Sequence, residues 1–246
     1  MRSITARALL AAATAAVAVL SLAYGDFVPR GQPVPGWLPR EAWIDGSALL
    51  MLAVSGGLCF ARTAQISLVV LGAYQVLWTL LCAPPVFQRP RDIGSWYGLC
   101  EALTPLLSAW LVWAIVRAQH ARVAQALFGL TCVFYGYSHF LYADYTASMV
   151  PAWLPAHLGL AYFTGMAHMA AGTALIVGVL PHLAAALEAT MMTLFGVLVW
   201  VPSFFMHPRP SWATSTPNQW SELTVNVVLA VSAWLVMLYL KSRARP

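Results

Sequence analysis

Tyr135, Ser138, His139 and Tyr142 fall at i, i+3, i+4 and i+7, the spacing that places four side chains on one face of a helix. The run around them, "FGLTCVFYGYSHFLYADY", is otherwise apolar. His168 stands alone in "YFTGMAHMAAG", and Glu222 and Asn226 are one turn apart in "WSELTVNVVLA". A histidine in such a run can hydrogen-bond a ligand carbonyl, and a carboxyl can pass its proton on. The same residues can also act as glue between helices, at about 1–2 kcal/mol each, and Gly165 and Gly172 beside His168 would allow close packing.

Which reading applies depends on the solvent. Of 246 residues, 61% are hydrophobic and 9% charged, and the mean hydropathy is +0.73. A soluble domain carries about a quarter charged residues, so this is an integral membrane protein. Its apolar runs are continuous rather than alternating, which excludes an outer-membrane barrel. Eight stretches approach the roughly 20 residues needed to span a bilayer: Ala8–Tyr24, Ala42–Ala61, Ala64–Ala83, Trp96–Val116, Val123–Tyr142, Leu158–Leu180, Leu183–Val201 and Trp220–Leu240. Pro, Gly and charge gather between them, in "VPRGQPVPGWLPRE", "QRPRD", "RAQHAR" and "MHPRPS".

Lysine and arginine stay preferentially on the cytoplasmic side. Arg2, Arg7, Arg62, Arg117, Arg122, Lys241, Arg243 and Arg245 then lie inside, and Arg30, Arg40, Arg89, Arg91 and Arg209 outside. Both termini are predicted cytoplasmic. The net charge of +5 is mostly this bias, so no nucleic-acid partner is called for.

The chain also repeats itself. At an offset of 118, Ala8, Tyr24 and Asp26 match Ala126, Tyr142 and Asp144; "VPGWLP" from Val34 returns as "VPAWLP" from Val150; "SAWLV" from Ser108 returns from Ser232. The predicted fold is therefore all-α, with eight transmembrane helices as two parallel-repeat four-helix bundles, residues 1–119 and 120–246. The pairing of the first helix with the fifth also keeps the first from being read as a cleaved signal peptide.

Between the matched halves, polarity sits mostly in the second. Tyr135, Ser138 and His139 match Val17, Leu20 and Ser21; His168 matches Leu52, Glu188 matches Val70 and Asn226 matches Ala102. Ionisable residues within a membrane are costly and usually face a cavity or bundle interior. At about 1.5 Å per residue, His139, His168, Glu222 and Asn226 lie about 6, 12, 4 and 10 Å below the outer surface, so one outward-opening pocket in the second half is predicted. Glu188, entering from the cytoplasmic end, is predicted too far away to join it.

Trp37 and Trp153, in the two proline-bracketed loops, read as interfacial anchors at the headgroup level. Cys59, Cys82, Cys100 and Cys132 form no metal-ligand spacing and read as small buried hydrophobes, with pairing of Cys82 and Cys100 left open. No metal site, nucleophile elbow, phosphate loop or dinucleotide fingerprint stands in the sequence. The depth difference between His139 and His168 argues against a shared haem.

A four-helix unit with an outward "VPxWLP" loop, then "YFTGMAHMAAGTALIVGVLPHLAA" and a closing helix with "W-x-E", resembles the DoxX-like membrane proteins, here with two units in one chain. The likeness is clearest over Ser138–Leu223. His168 stands where many such proteins carry a glutamate. The resemblance implies a multi-pass protein of a bacterial cytoplasmic membrane, either a quinone-interacting subunit of a membrane oxidoreductase that depends on a redox partner protein, or a non-catalytic module that binds or moves a lipid-like molecule. No intrinsic cofactor is implied beyond quinone itself.

Overall fold

A computed structural model describes residues 2–28, 34, 36–213 and 215–243. Arg30, Gln32, Pro33, Pro35 and Arg245 lie outside the described residues, so the first proline-bracketed loop is described only in part. The long helices are α1 (Arg2–Tyr24), α2 (Arg40–Cys59), α3 (Ala64–Cys82), α4 (Ile93–Arg117), α5 (Arg122–Leu141), α6 (His157–Val177), α7 (Pro181–Phe195) and α8 (Thr216–Arg243). Short helices Pro84–Gln88 and Ala143–Met149 follow α3 and α5. A π-helical turn, Gly196–Trp200, continues α7 into Val201–Ser203. Several bounds differ from the hydropathy reading: α1 begins at Arg2 rather than Ala8 and α8 at Thr216 rather than Trp220, because polar residues at a span's end still complete backbone hydrogen bonds.

Among the described residues, seven helices are long and apolar enough to cross a membrane. The exception is α5. Its 20 residues suffice in length, but Arg122, Gln125, Tyr135, Ser138 and His139 lower its hydropathy. Outward surfaces carry large apolar side chains, among them Leu49, Ile66, Val69, Leu80, Phe163 and Val177, as a lipid solvent requires. This is a multi-pass membrane protein.

The first and last described residues lie at one end of the bundle. The Arg2 guanidinium donates to the Lys241 carbonyl, and Arg243 donates to the Ala118 carbonyl at 3.1 Å. The described parts of the proline-bracketed turns lie at the other end, where Trp37 and Trp153 are 81% and 72% exposed. There Asp92 caps α4, accepting from Ser95 Oγ at 2.6 Å and Gly94 N at 3.2 Å. The Ser95 hydroxyl, against the opposing effect of burial and with help from the Gly94 amide, holds the Asp92 carboxyl below its usual range.

Packing is closest within α1–α2, α3–α4, α5–α6 and α7–α8, and α8 also lies against α1 and α4. Leu235 of α8 belongs to the core of the first half, while Leu107, Leu111 and Ala114 of α4 belong to that of the second. At the crossing of α4 and α8, the sequence-matched Ser108 and Ser232 share a hydrogen bond of 2.7 Å between their Oγ atoms. A second matched pair does similar work at the terminal end. Arg7 donates to the Leu58 carbonyl at 3.2 Å and Gln125 to the Leu175 carbonyl at 2.8 Å, each satisfying an orphan carbonyl of the following helix.

The α5–α6 contact is built on glycine. A Cβ on Gly136 would meet the Gly165 carbonyl at 2.5 Å, and one on Gly129 would meet the Gly172 carbonyl at 2.6 Å. Four glycines, spaced by seven on each helix, therefore let the two backbones touch. This approach sets His139 against α6.

Candidate functional site

The polar residues of the second half divide into separate neighbourhoods. In the first, His168 and Glu188 form a buried pair, with Nδ1 2.8 Å from Oε1 and both side chains at most 2% exposed. The His139 ring lies 5.2 Å from that of His168, centroid to centroid, and Phe195 packs on both. His139 Nδ1 is 3.0 Å from Thr164 Oγ1. Glu188 Oε2 lacks a hydrogen-bond partner in good geometry, although the Cys132 thiol lies beside it.

Sequence depth put Glu188 beyond reach of His168, and the structure overturns this. His168 sits in the middle of α6 and Glu188 in the middle of the shorter α7, so two residues counted from opposite ends arrive at one level. The turn joining these helices is tight, with Gly178 at φ +88 and Leu180 at φ 44, and it brings them side by side.

The other predicted residues point elsewhere. Tyr135 Oη lies 3.3 Å from Thr104 Oγ1 of α4, and its ring packs edge-on to Tyr97 at 5.1 Å. Ser138 donates to the Tyr135 carbonyl of its own helix at 2.7 Å. Tyr142 is the exposed residue that ends α5. Asn226 is buried with its Oδ1 against Gly196. Glu222 lies near Glu101, Tyr97 and Tyr145. Burial first, and then the Glu222 charge, push the Tyr145 hydroxyl above its usual range. Tyr135, Ser138, His139, Tyr142, His168, Glu222 and Asn226 thus share no single pocket.

A cavity lies between α1, α3, α4 and α8, with Met51 of α2 in its wall and the Phe27–Val28 segment at its loop end. Its walls are mostly apolar, including Leu10, Val17, Met51, Leu229 and Val231. Eight polar side chains also line it: Thr14, Ser21, Tyr74, Gln75, Trp78, Glu101, Ser108 and Ser232. Two of these are buried without a hydrogen-bond partner, at Ser21 Oγ and Trp78 Nε1, the Tyr74 hydroxyl being near the indole but not in bonding geometry. Buried donors are rarely left so. Pro105, also in the wall, lacks the N–H that would bond the Glu101 carbonyl, so that acceptor too has no partner within α4.

At the loop end, Phe27 packs edge-on to Trp78 at 4.9 Å, and the Arg40 guanidinium lies 5.2 Å from the Phe27 centroid while bonding Asp26 Oδ1 at 2.7 Å. The first polar residue of the next helix therefore holds the cover over the cavity. No family model, curated protein or solved structure matches the chain. Function is argued from the site alone.

Val17 of the cavity corresponds to the bulkier Tyr135, Ser21 to His139 and Ala102 to Asn226. Gly196, against which Asn226 Oδ1 packs, matches Trp78 in the sequence. Sequence reasoning followed the ionisable residues and missed the cavity, whose signal is a run of small side chains facing Gln75 and Glu101.

Among the described residues no three His, Cys, Asp or Glu side chains converge to hold a metal ion. All four cysteines are free, which answers the open question about Cys82 and Cys100. Cys59 is exposed and Cys82 partly so, unlike the buried Cys100 and Cys132.

Proposed function

We propose that this chain is a membrane-embedded binding module that holds one small lipid-like molecule in the cavity between α1, α3, α4 and α8. The observation that carries this reading is a mostly apolar cavity whose wall also holds polar side chains, Gln75 and Glu101 among them. Such an arrangement gives a ligand an apolar home for its body and a reason to orient its head. In this reading the eight helices all span, and the chain is a tandem pair of DoxX-like four-helix units related by an axis between Ser108 and Ser232. Duplication explains why Arg7 and Gln125 have the same task, and divergence explains why the second copy holds a buried ion pair.

A second reading, a quinone-linked redox subunit of a bacterial cytoplasmic membrane, draws support from the His139, His168 and Glu188 cluster, which could donate to a carbonyl and store a proton. His139, His168 and Glu188 are not in the wall of the cavity between α1, α3, α4 and α8, so the binding module is preferred.

Mass spectrometry of what stays bound after mild detergent extraction tests the choice. The expected result is one lipid-like molecule per chain without associated redox activity, lost in Val17→Tyr, which imports the second half's residue into the cavity. Co-purification of quinone with an electron-donating partner, unchanged by Val17→Tyr, would instead favour the redox reading.

A further inference from the structure

We infer that the groove between α3 and α4 binds one anionic phospholipid, with an acyl chain along the groove and its phosphate on Arg117 at the terminal end of the bundle. This site is separate from the cavity and does not depend on what occupies it.

Each helix contributes one stripe. Leu68, Val69, Gly72 and Val76 line the groove from α3, and Leu106, Ala109, Trp110 and Trp113 from α4. None of them is charged. The groove offers about 370 Å³, against about 70 Å³ in the cavity on the same measure. Val69 and Val76 are 63% and 43% exposed, so it opens toward lipid. A Cβ on Gly72 would meet nothing within 4 Å, which leaves the middle of the groove clear. From Leu68 to Val76 it runs about 12 Å along α3, at about 1.5 Å per residue. An open apolar trough within a bilayer is filled by hydrocarbon, so the body of the occupant is an acyl chain.

The charge at its mouth makes the groove a site for one class of lipid. Gln65, Val69, Gly72 and Val76 are spaced i, i+4, i+7 and i+11 along α3, and Leu106, Trp110, Trp113 and Arg117 repeat that spacing along α4. Gln65 and Arg117 thus continue the two stripes by one turn toward the terminal end. They meet there, with Arg117 Nη1 donating to Gln65 Oε1 at 3.4 Å. That bond is long, and the guanidinium is exposed with further N–H groups to give. No carboxylate stands at this end to take them. Of the eight Asp and Glu residues, Glu188 lies in the middle of α7 and the other seven at or toward the loop end. Arg2, Arg62, Lys241 and Arg243 share the terminal end with Arg117, so the charge here is met by anions from outside the chain. A lipid phosphate accepts parallel N–H bonds from a guanidinium, one turn from where its own chain enters the groove. The arginine bias predicts this end to be cytoplasmic, the side on which anionic lipids meet basic residues between spans.

The test uses the full chain in detergent, with dioleoylphosphatidylglycerol and dioleoylphosphatidylcholine as competing probes, scored by native mass spectrometry. One phosphatidylglycerol per chain should be retained in preference to phosphatidylcholine, and inorganic phosphate should not displace it. Arg117→Gln should weaken phosphatidylglycerol about fivefold, the worth of one basic side chain at an anionic leaflet, and leave phosphatidylcholine unchanged. Gly72→Leu, which fills the groove without touching the charge, should weaken both lipids and keep the preference. Gly72→Thr, the residue at the matched position of α7, is the smaller change and should act in the same direction. Equal retention of the two lipids by the unmodified chain, displacement by inorganic phosphate, or full retention in both Gly72 variants overturns the proposal. Loss of the same lipid in Val17→Tyr would place it in the cavity and overturn the groove assignment while leaving the binding module in place.

Discussion

Removing His168 alone leaves the Glu188 carboxyl among apolar atoms, with one oxygen already lacking a good partner. Removing one member of a buried hydrogen-bonded pair leaves the other unsatisfied and costs about 1–3 kcal/mol, because that group has no water to return to. His168→Leu should therefore lower the detergent melting temperature sharply. The double variant His168→Leu with Glu188→Val, which installs the matched residues Leu52 and Val70 of the first half, should recover most of that loss. Failure of the second change to rescue the first would mean the two side chains act separately. Neither variant should alter ligand retention, since the pair lies outside the cavity.

Helices meet here on two different principles, and substitution separates them. Gly172 approaches Gly129 backbone to backbone, and its Cβ would also lie 2.9 Å from the Val133 amide. Its sequence match Gly56 has nothing within 4 Å. Gly172→Ala should thus force α5 and α6 apart and reduce the yield of folded protein, whereas Gly56→Ala should be neutral or slightly stabilising, since glycine in a helix interior costs about 0.5–1 kcal/mol relative to alanine. Melting curves of the two variants side by side decide this. Capping gives a pH-dependent case. The Asp92 carboxyl is held below its ordinary value of 3.8, so its contribution to the start of α4 is complete above that value and fades as pH falls through the lower, folded one. The protection of the Gly94 and Ser95 amides against exchange, relative to their intrinsic rates, should fall on acidification, and Asp92→Ala should show the low protection at every pH.

For the whole molecule, the meeting of Arg2 with Lys241 and of Arg243 with Ala118 places the first and last described residues and the α4–α5 turn at one end. Reporter fusions after Arg62 and Arg122 should report the same side of the membrane as the termini, and a fusion near Ser148 the opposite side. Because α8 packs on α1 and α4, residues 1–119 and 120–246 expressed separately should each be degraded, and should accumulate together when co-expressed. Stable accumulation of either part alone would contradict the shared cores of α4 and α8.

The amino-acid sequence by itself determined the solvent, the helices and their order, because hydropathy and length are local properties that a lipid bilayer reads directly. It also carried the match of Ser108 to Ser232 and of Arg7 to Gln125, whose spacing in the chain prefigures contacts the fold goes on to make. What it left undecided was depth and direction. His139 and Tyr135 share a face of α5, yet one faces α6 and the other α4, since a bundled helix has neighbours on more than one side of the same stripe. Glu188 reached His168 only because α6 and α7 are joined by a tight turn. The cavity was least legible of all: an empty space is set by which side chains from four helices fail to meet, and that is known only when tertiary packing has placed Val17, Ser21, Trp78 and Glu101 around it.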